Sequence, residues 1–341
     1  MTMKEIISKL VEGRDLTREE AHSAMKTIMS GEATQAQIGG FLTALRVKGE
    51  TIVEIAESAK VMREFASTIH PRVKGTLVDT CGTGGDRLKT FNISTIASFV
   101  VAGAGIPIAK HGNRSVTSKC GSADVLEALE VKVDTEPREV ERIIEKIGIG
   151  FMFAPLFHGA MKHAIGPRRE LGIRTVFNIL GPLTNPANAE AQVLGVFSPE
   201  LTEKLAGVLK DLRLKRALVV HGMDGLDEIS TIGETRVSEL KGGQIETYTV
   251  SPEDFGLKKA SPDDIAGGDA EYNAELARRI LRGEEGGARQ DIVELNAGAG
   301  IYVGGGASSI EEGMEVARES IESGRAYDKL LKLSVETRAG G

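Results

Sequence analysis

Hydrophobic positions change their period once along this chain. Up to about residue 70 they recur every third or fourth place, in stretches bounded by helix-terminal chemistry. Glu5–Val11 carries apolar residues at this spacing. Thr17-Arg18-Glu19-Glu20 ahead of Ala21–Met29, and Thr51-Ile52-Val53-Glu54 ahead of Ile55–Phe65, form capping boxes. Between them Ala33–Val47 predicts a helix stopped near Gly49, with Ile38, Phe41, Leu42 and Leu45 along one stripe. Such a stripe is first of all core, and an all-helical block of this size is also a candidate dimer interface.

From Gly75 the pattern alternates. Apolar runs at Thr76–Asp79, Ile106–Ala109, Ile149–Phe153, Gln192–Phe197 and Ala217–His221 predict strands. Between them Ser94–Ala104, Ser122–Leu129, Pro137–Ile147 and Pro199–Leu212 predict helices. Strand–helix alternation predicts a parallel sheet with crossover helices, and Pro137 and Pro199 suit first helical positions. Gly166–Pro186 interrupts the alternation with helical character and is expected to pack back on the N-terminal helices. Thr235–Val250, with Gly242-Gly243, predicts a β-hairpin. After a turn-rich Ser251–Gly268, Asn273–Leu281 and Ser309–Leu331 predict helices, and Asn296–Gly306 a glycine-rich return strand or loop. The expected fold class is α/β. A small all-helical domain covers residues 1–72, joined by the excursion near 166–186; a larger domain over 73–341 has a central, mostly parallel sheet flanked by helices.

Composition narrows the function classes. A net charge of −7 argues against nucleic acid as partner, and 4% aromatics with no Trp argues against base-stacking platforms. A polyanionic substrate would have to be drawn by local charge. Cys81 and Cys120 are too few for a disulfide framework and read as reduced, partly buried thiols. Without a secretory leader or an apolar run near ~18 residues, a cytoplasmic protein with no membrane partner is expected.

The candidate chemistry sits where strands are expected to end. Gly82-Thr83-Gly84-Gly85-Asp86 follows the first run, and Thr90, Asn92, Ser94 and Thr95 gather at the start of the first crossover helix. The second run ends on Lys110-His111-Gly112-Asn113-Arg114. Glycines let a backbone approach an oxyanion, helix N-termini favour negative charge, and Lys110 and Arg114 add full positive charge. No GK[ST] follows the glycines, and Arg87 stands where a dinucleotide fingerprint has its third glycine. The expected ligand is a phosphate group held where two loops meet at one sheet edge. Asp227-Glu228, beyond the turn Gly222–Gly225, suits Mg²⁺, which takes one or two carboxylates and otherwise phosphate and water. On residues alone Asp224 is an equal candidate. His111 and His221, both expected in loops, have no triad partner, and zinc spacing is absent. His158 and His163 sit near Gly166-Pro167-Arg168-Arg169.

GTGGD, the NIST of Asn92–Thr95, the KHGNR of Lys110–Arg114, the GSAD of Gly121–Asp124, Arg168 and Asp227-Glu228 resemble, in order and spacing over nearly the whole chain, the anthranilate phosphoribosyltransferases of tryptophan biosynthesis. The resemblance implies transfer of a 5-phosphoribosyl group from 5-phosphoribosyl 1-diphosphate to the amine of anthranilate, in a homodimer formed through the first 70 or so residues. It implies that the donor is held by Gly82, Gly85, Asp86, Thr90, Asn92, Ile93, Ser94, Thr95, Lys110, His111, Gly112, Asn113, Arg114, Ser115, Val116, Thr117, Ser118 and Ser122. Anthranilate falls to Gly82, Asn113 and Arg168, and two Mg²⁺ ions per subunit to Ser94, Asp227 and Glu228. Lys110 is then the main electrostatic group, with no dedicated general base. Association with anthranilate synthase stays open. Two other readings remain: a nucleoside phosphorylase of the same fold, which would not call for Asn113 and Arg168, and a non-catalytic donor sensor, which would not need Ser94, Asp227 and Glu228.

Overall fold

The computed structural model describes residues 1–85, 88–115 and 119–339. The chain opens with α1 (Met3–Val11), α2 (Arg18–Met29), α3 (Gln35–Lys48) and α4 (Ile52–Glu64). Each starts on a capping box, Thr2 with Glu5, Thr17 with Glu20, Thr34 with Gln37 and Thr51 with Glu54. α3 stops at Gly49, whose φ of 88° suits glycine. Glu54 also ties the bundle together: it accepts the Leu16 N–H at 2.9 Å and the Lys48 ammonium at 2.9 Å, in a pair almost wholly shielded from water.

The chain then runs β1 (Val78–Gly82), α5 (Ile93–Gly103), β2 (Ile108–Gly112), α6 (Ser122–Ala128), α7 (Pro137–Ile147), β3 (Ile149–Phe153) and α8 (Ala154–Phe157). After α9 (Lys162–Leu171) and α10 (Phe177–Leu183) come β4 (Ala191–Gly195), α11 (Glu200–Asp211) and β5 (Arg216–Gly222). A hairpin, β6 (Thr235–Lys241) and β7 (Gln244–Val250), precedes α12 (Ala270–Leu281), α13 (Ala288–Val303), α14 (Ile310–Glu322) and α15 (Arg325–Ala339). The sheet order is β3-β2-β1-β4-β5-β6-β7, parallel through β5 and antiparallel in the hairpin. Progress reverses between β1 and β4, which leaves a crevice at their C-terminal ends.

Both faces of the sheet are covered, as a parallel sheet requires. Phe99 and Val100 of α5 pack with Leu295 of α13 and Ile321 of α14 on one face. On the other, Leu194, Val196 and Val219 share a core with Ile38, Phe41 and Ile55 of the helical block. α9 lies against α2 and α3, and α10 against α4. Among the described residues no helix is long and apolar enough to cross a membrane.

The structure departs from the sequence reading in several places. β1 and β2 run beyond their apolar stretches, because Lys110 and His111 pair with Phe151 and Met152 and are buried. Lys110, His111 and His221 are therefore strand residues rather than loop residues. Asn296–Gly306 is neither strand nor loop, since α13 continues to Val303. Its glycines serve contact between helices: a side chain on Gly298 would press on the Met314 backbone at 2.7 Å, and one on Gly300 on Val101 at 2.7 Å. The helix expected over Ser309–Leu331 breaks at Gly324, φ 74°, into α14 and α15. Pro199 is the N-cap of α11, one residue before its first turn.

Candidate active site

Two glycines clear the way for an acid. Gly82 and Gly195 are direct partners at the ends of β1 and β4, and a side chain on either would collide with Asp227, which arrives from beyond β5. Asp227 thereby crosses to the glycine turn and accepts the Gly84 N–H at 2.9 Å. Glu228 accepts the Ser94 N–H, in the first turn of α5, at 3.1 Å. These are amides of the kind that the residue types marked as anion donors. Gly84 and Gly85 have φ of 65° and 81°, a left-handed pair open to few other residues.

Burial raises the Asp227 carboxyl above the usual carboxylate range, with the Gly84 amide only partly offsetting it. A partly buried acid held by an amide, beside a second acid held the same way, suits a hard cation with oxygen ligands, so the residues present fit Mg²⁺. Asp224 is the poorer candidate, because its carboxylate turns into its own loop, onto the Leu226 N–H at 3.1 Å and the Ser230 hydroxyl. Asn296 pins the acid pair from behind: its Oδ1 accepts the Ile229 N–H and its Nδ2 donates to the Ile229 carbonyl, each at 2.9 Å. The sequence reading passed over Asn296 because the glycines after it suggested a loop.

Lys110 enters from β2. The residue is 3% exposed, and its ammonium donates to the Thr80 carbonyl and lies 3.4 Å from the Ser94 hydroxyl. Burial lowers its pKa, with the Asp79 carboxylate opposing the shift. Asp79 is itself fully buried, accepts the His111 N–H at 3.2 Å and the Asn185 amide at 2.8 Å, and so fixes the end of β2. Arg114 is drawn outward to Glu127 and Asp124, and stacks over Phe153 at 5.5 Å. Gly112 lies against Ser122, whose hydroxyl takes the Asn113 N–H at 3.2 Å; Ser115 donates its N–H to Asp124 at 3.1 Å.

The remaining expected donor residues are split between surface and core. Thr90 bridges to Ala266, while Ile93 and Thr95 are buried in the first turn of α5. Asn92 joins the start of α5 to Cys120 and Asn273, at 3.2 and 3.1 Å. Asp86, Val116, Thr117 and Ser118 lie outside the described residues. Both thiols are raised by burial, Cys120 to about 11, and are unsuited to nucleophilic work.

Behind the end of β2, the rings of His111 and His158 meet at 5.0 Å, and the buried Nε2 of each has no hydrogen-bond partner among the described residues. Burial holds them neutral, at about 3 and about 4 against 6.5 in the open chain. The unfolded chain therefore takes up protons first, and the stability these rings confer is full above pH 6.5 and lost as pH falls towards those values. Urea titrations are expected to show that His158→Gln flattens the stability difference between pH 7 and pH 5 by about 2 kcal/mol. An unchanged slope would show that His158 takes up its proton alike in the folded and unfolded chains.

Arg168, on α9, is half-buried with its guanidinium 5.1 Å over the Phe177 ring. Among the described residues no carboxylate lies within ion-pair distance of it, and burial lowers its pKa. Arg169 is exposed, and His163 packs against Gly31 of the helical block.

Residues 74–327 match the family described as "Glycosyl transferase family, a/b domain", and residues 4–66 match its "helical bundle domain". The anthranilate phosphoribosyltransferase of Acetivibrio thermocellus is 59% identical over 96% of this chain and 94% of its own. The chain belongs to the anthranilate phosphoribosyltransferase family. The fold agrees: the Thermus thermophilus member superposes with a TM-score of 0.93 at 46% identity, over 98% of this chain and 99% of its own. The Saccharomyces cerevisiae anthranilate phosphoribosyltransferase, solved in complex with PRPP and Mg, gives 0.91 at 29% identity, over 99% and 98%. In this member of the family, the segment between the two matched regions is the link from α4 to β1.

Proposed function

We propose that the chain transfers the 5-phosphoribosyl group of 5-phosphoribosyl 1-diphosphate to the amine of anthranilate, releasing diphosphate, in tryptophan biosynthesis. One observation carries the reading: Asp227 and Glu228 lie on the amides of an anion-binding turn and of a helix N-terminus, so acid ligands for a metal and donors for a phosphate share one place. The donor is held by Gly82, Gly85, Thr90, Asn92, Ile93, Ser94, Thr95, Lys110, His111, Gly112, Asn113, Arg114, Ser115 and Ser122, with Asp86, Val116, Thr117 and Ser118. Two Mg²⁺ ions per subunit are held by Ser94, Asp227 and Glu228.

The chemistry asks for charge more than for proton transfer. An arylamine is neutral near pH 7 and attacks without a base; the barrier lies in the departing diphosphate and the oxocarbenium-like ribosyl carbon. Mg²⁺ supplies positive charge to the leaving diphosphate when bound. Lys110 adds a buried cation beside Ser94, and the turn amides add fixed dipoles. Arg168 takes the anthranilate carboxylate, while Gly82 and Asn113 position its amine. The unpartnered Nε2 atoms of His111 and His158 offer polar contacts on the acceptor side.

Residues 1–72 form the helical domain, joined by the excursion near 166–186 of the α/β domain over 73–341, in a cytoplasmic homodimer. Val11, Val47 and Ile165, on α1, α3 and α9, are 72%, 82% and 46% exposed and mark an apolar surface for the second copy. Sedimentation is expected to show a dimer, and a monomer at high concentration would remove this surface from the proposal. The reaction itself is tested by anthranilate fluorescence. A decay that needs chain, Mg²⁺ and donor together supports it; a flat trace, with phosphate-dependent cleavage of pyrimidine nucleosides, would replace it by a phosphorylase.

A further inference from the structure

Arg174 lies in the connection between α9 and α10 and has no part in the roles assigned above. Its Nη2 donates to the Gly85 carbonyl at 3.0 Å, and its Cζ lies 4.0 Å from the centre of the Phe197 ring. Among the described residues it has no carboxylate within ion-pair distance. Phe197 is tied to the same turn through its backbone: its N–H donates to the Thr83 hydroxyl at 3.1 Å, and the Thr83 N–H donates to the Gly195 carbonyl at 2.9 Å.

The turn is therefore held at successive residues by different parts of the chain. Thr83 is fixed by the segment after β4, Gly84 by Asp227 and Gly85 by Arg174. The first two holds come from the sheet. The third comes from the excursion that packs on α2 and α3 and carries Arg168. Two glycines in left-handed backbone have wide freedom, and a donor that must order them loses affinity to that ordering. The guanidinium is exposed, beside a recess of about 550 Å³ that Phe197, His221 and Asp224 also line, so core packing does not explain its place.

We propose that Arg174 is a positioning residue for the donor site. By gripping the Gly85 carbonyl while stacked on Phe197, it fixes one peptide plane of the glycine turn and ties that turn to the segment bearing Arg168. The inference rests on the assignment of the turn to the phosphoribosyl donor.

The test compares Arg174→Lys, which keeps a cation over the ring and a donor for the carbonyl, with Arg174→Met, which keeps bulk alone. Steady-state rates are measured with each substrate varied. Arg174→Met is expected to raise the donor KM about tenfold, to leave the anthranilate KM within about threefold, and to leave Tm within about 2 °C. Arg174→Lys is expected to restore the donor KM to within about threefold of the parent. An unchanged donor KM in Arg174→Met overturns the proposal, as does a rise that is equal in both variants. A fall in Tm that accompanies the KM change would make the role structural instead. Hydrogen exchange of the ligand-free chain reads the grip without catalysis: amides of the turn are expected to exchange about tenfold faster in Arg174→Met, and equal rates overturn it. Absence of turnover in the parent chain would count against the transferase reading, and the exchange experiment would still decide the grip.

Discussion

Replacing Asp227 by Asn and Glu228 by Gln together is expected to lower Mg²⁺-dependent turnover by at least about a thousandfold. The replacements are nearly isosteric, and an amide oxygen at position 227 still accepts the Gly84 N–H. Only the negative charge goes. Because burial raises the Asp227 carboxyl above its value in the unfolded chain, its ionised form opposes folding above that unfolded value. Asp227→Asn alone is therefore expected to raise Tm at pH 7 while activity falls. A loss of rate caused by misfolding would move Tm the other way. Initial rates across a Mg²⁺ series, with a thermal melt of the same samples, separate the two. Activity equal to the parent's would remove the metal from this place.

Arg168→Ala is expected to raise the anthranilate KM about 30- to 100-fold and to leave the donor KM within about threefold. The guanidinium is half-buried over Phe177, with no carboxylate of the described residues in ion-pair distance, so a charged group has been taken partly out of water without its counter-ion. An aromatic acid completes that pair. Arg168→Lys is expected to recover little, because an ammonium cannot meet both carboxylate oxygens in one plane. Should the donor KM rise instead, Arg168 belongs to the phosphate side and the acceptor pocket must be sought elsewhere.

What the chain declared openly was whatever has a local cause. Threonine caps three places ahead of an acid or amide, a glycine that ends α3, and apolar runs between helical stretches all act within a few residues. The GTGGD turn and the acid pair were legible for the same reason, as residue types with one strong chemical use. Gly298 and Gly300 misled because their cause lies on another helix: a side chain on Gly298 would press on the Met314 backbone, and one on Gly300 on Val101. Lys110 and His111 looked like loop residues because polarity at the end of an apolar run usually means solvent. Here Asp79 accepts the His111 N–H and the Thr80 carbonyl accepts the Lys110 ammonium, and Asn185 in turn holds Asp79. Asn296 and Arg174 were silent, for each acts on the backbone of one residue far away in the chain, Ile229 and Gly85, which leaves no pattern around itself.

The amides of Gly84 and Ser94 are not vacant seats, since Asp227 and Glu228 already sit in them. On the proposed function, a phosphate that enters would trade places with a carboxylate at these two amides, leaving their hydrogen bonds unchanged in number. Bare oxyanions thus gain little by exchange, however plentiful they are in the surrounding solution. Only an anion that brings its own cation rewards the evicted acids with a new partner. On the proposed function, the two acids would make the site select diphosphate that arrives with its cation over diphosphate alone.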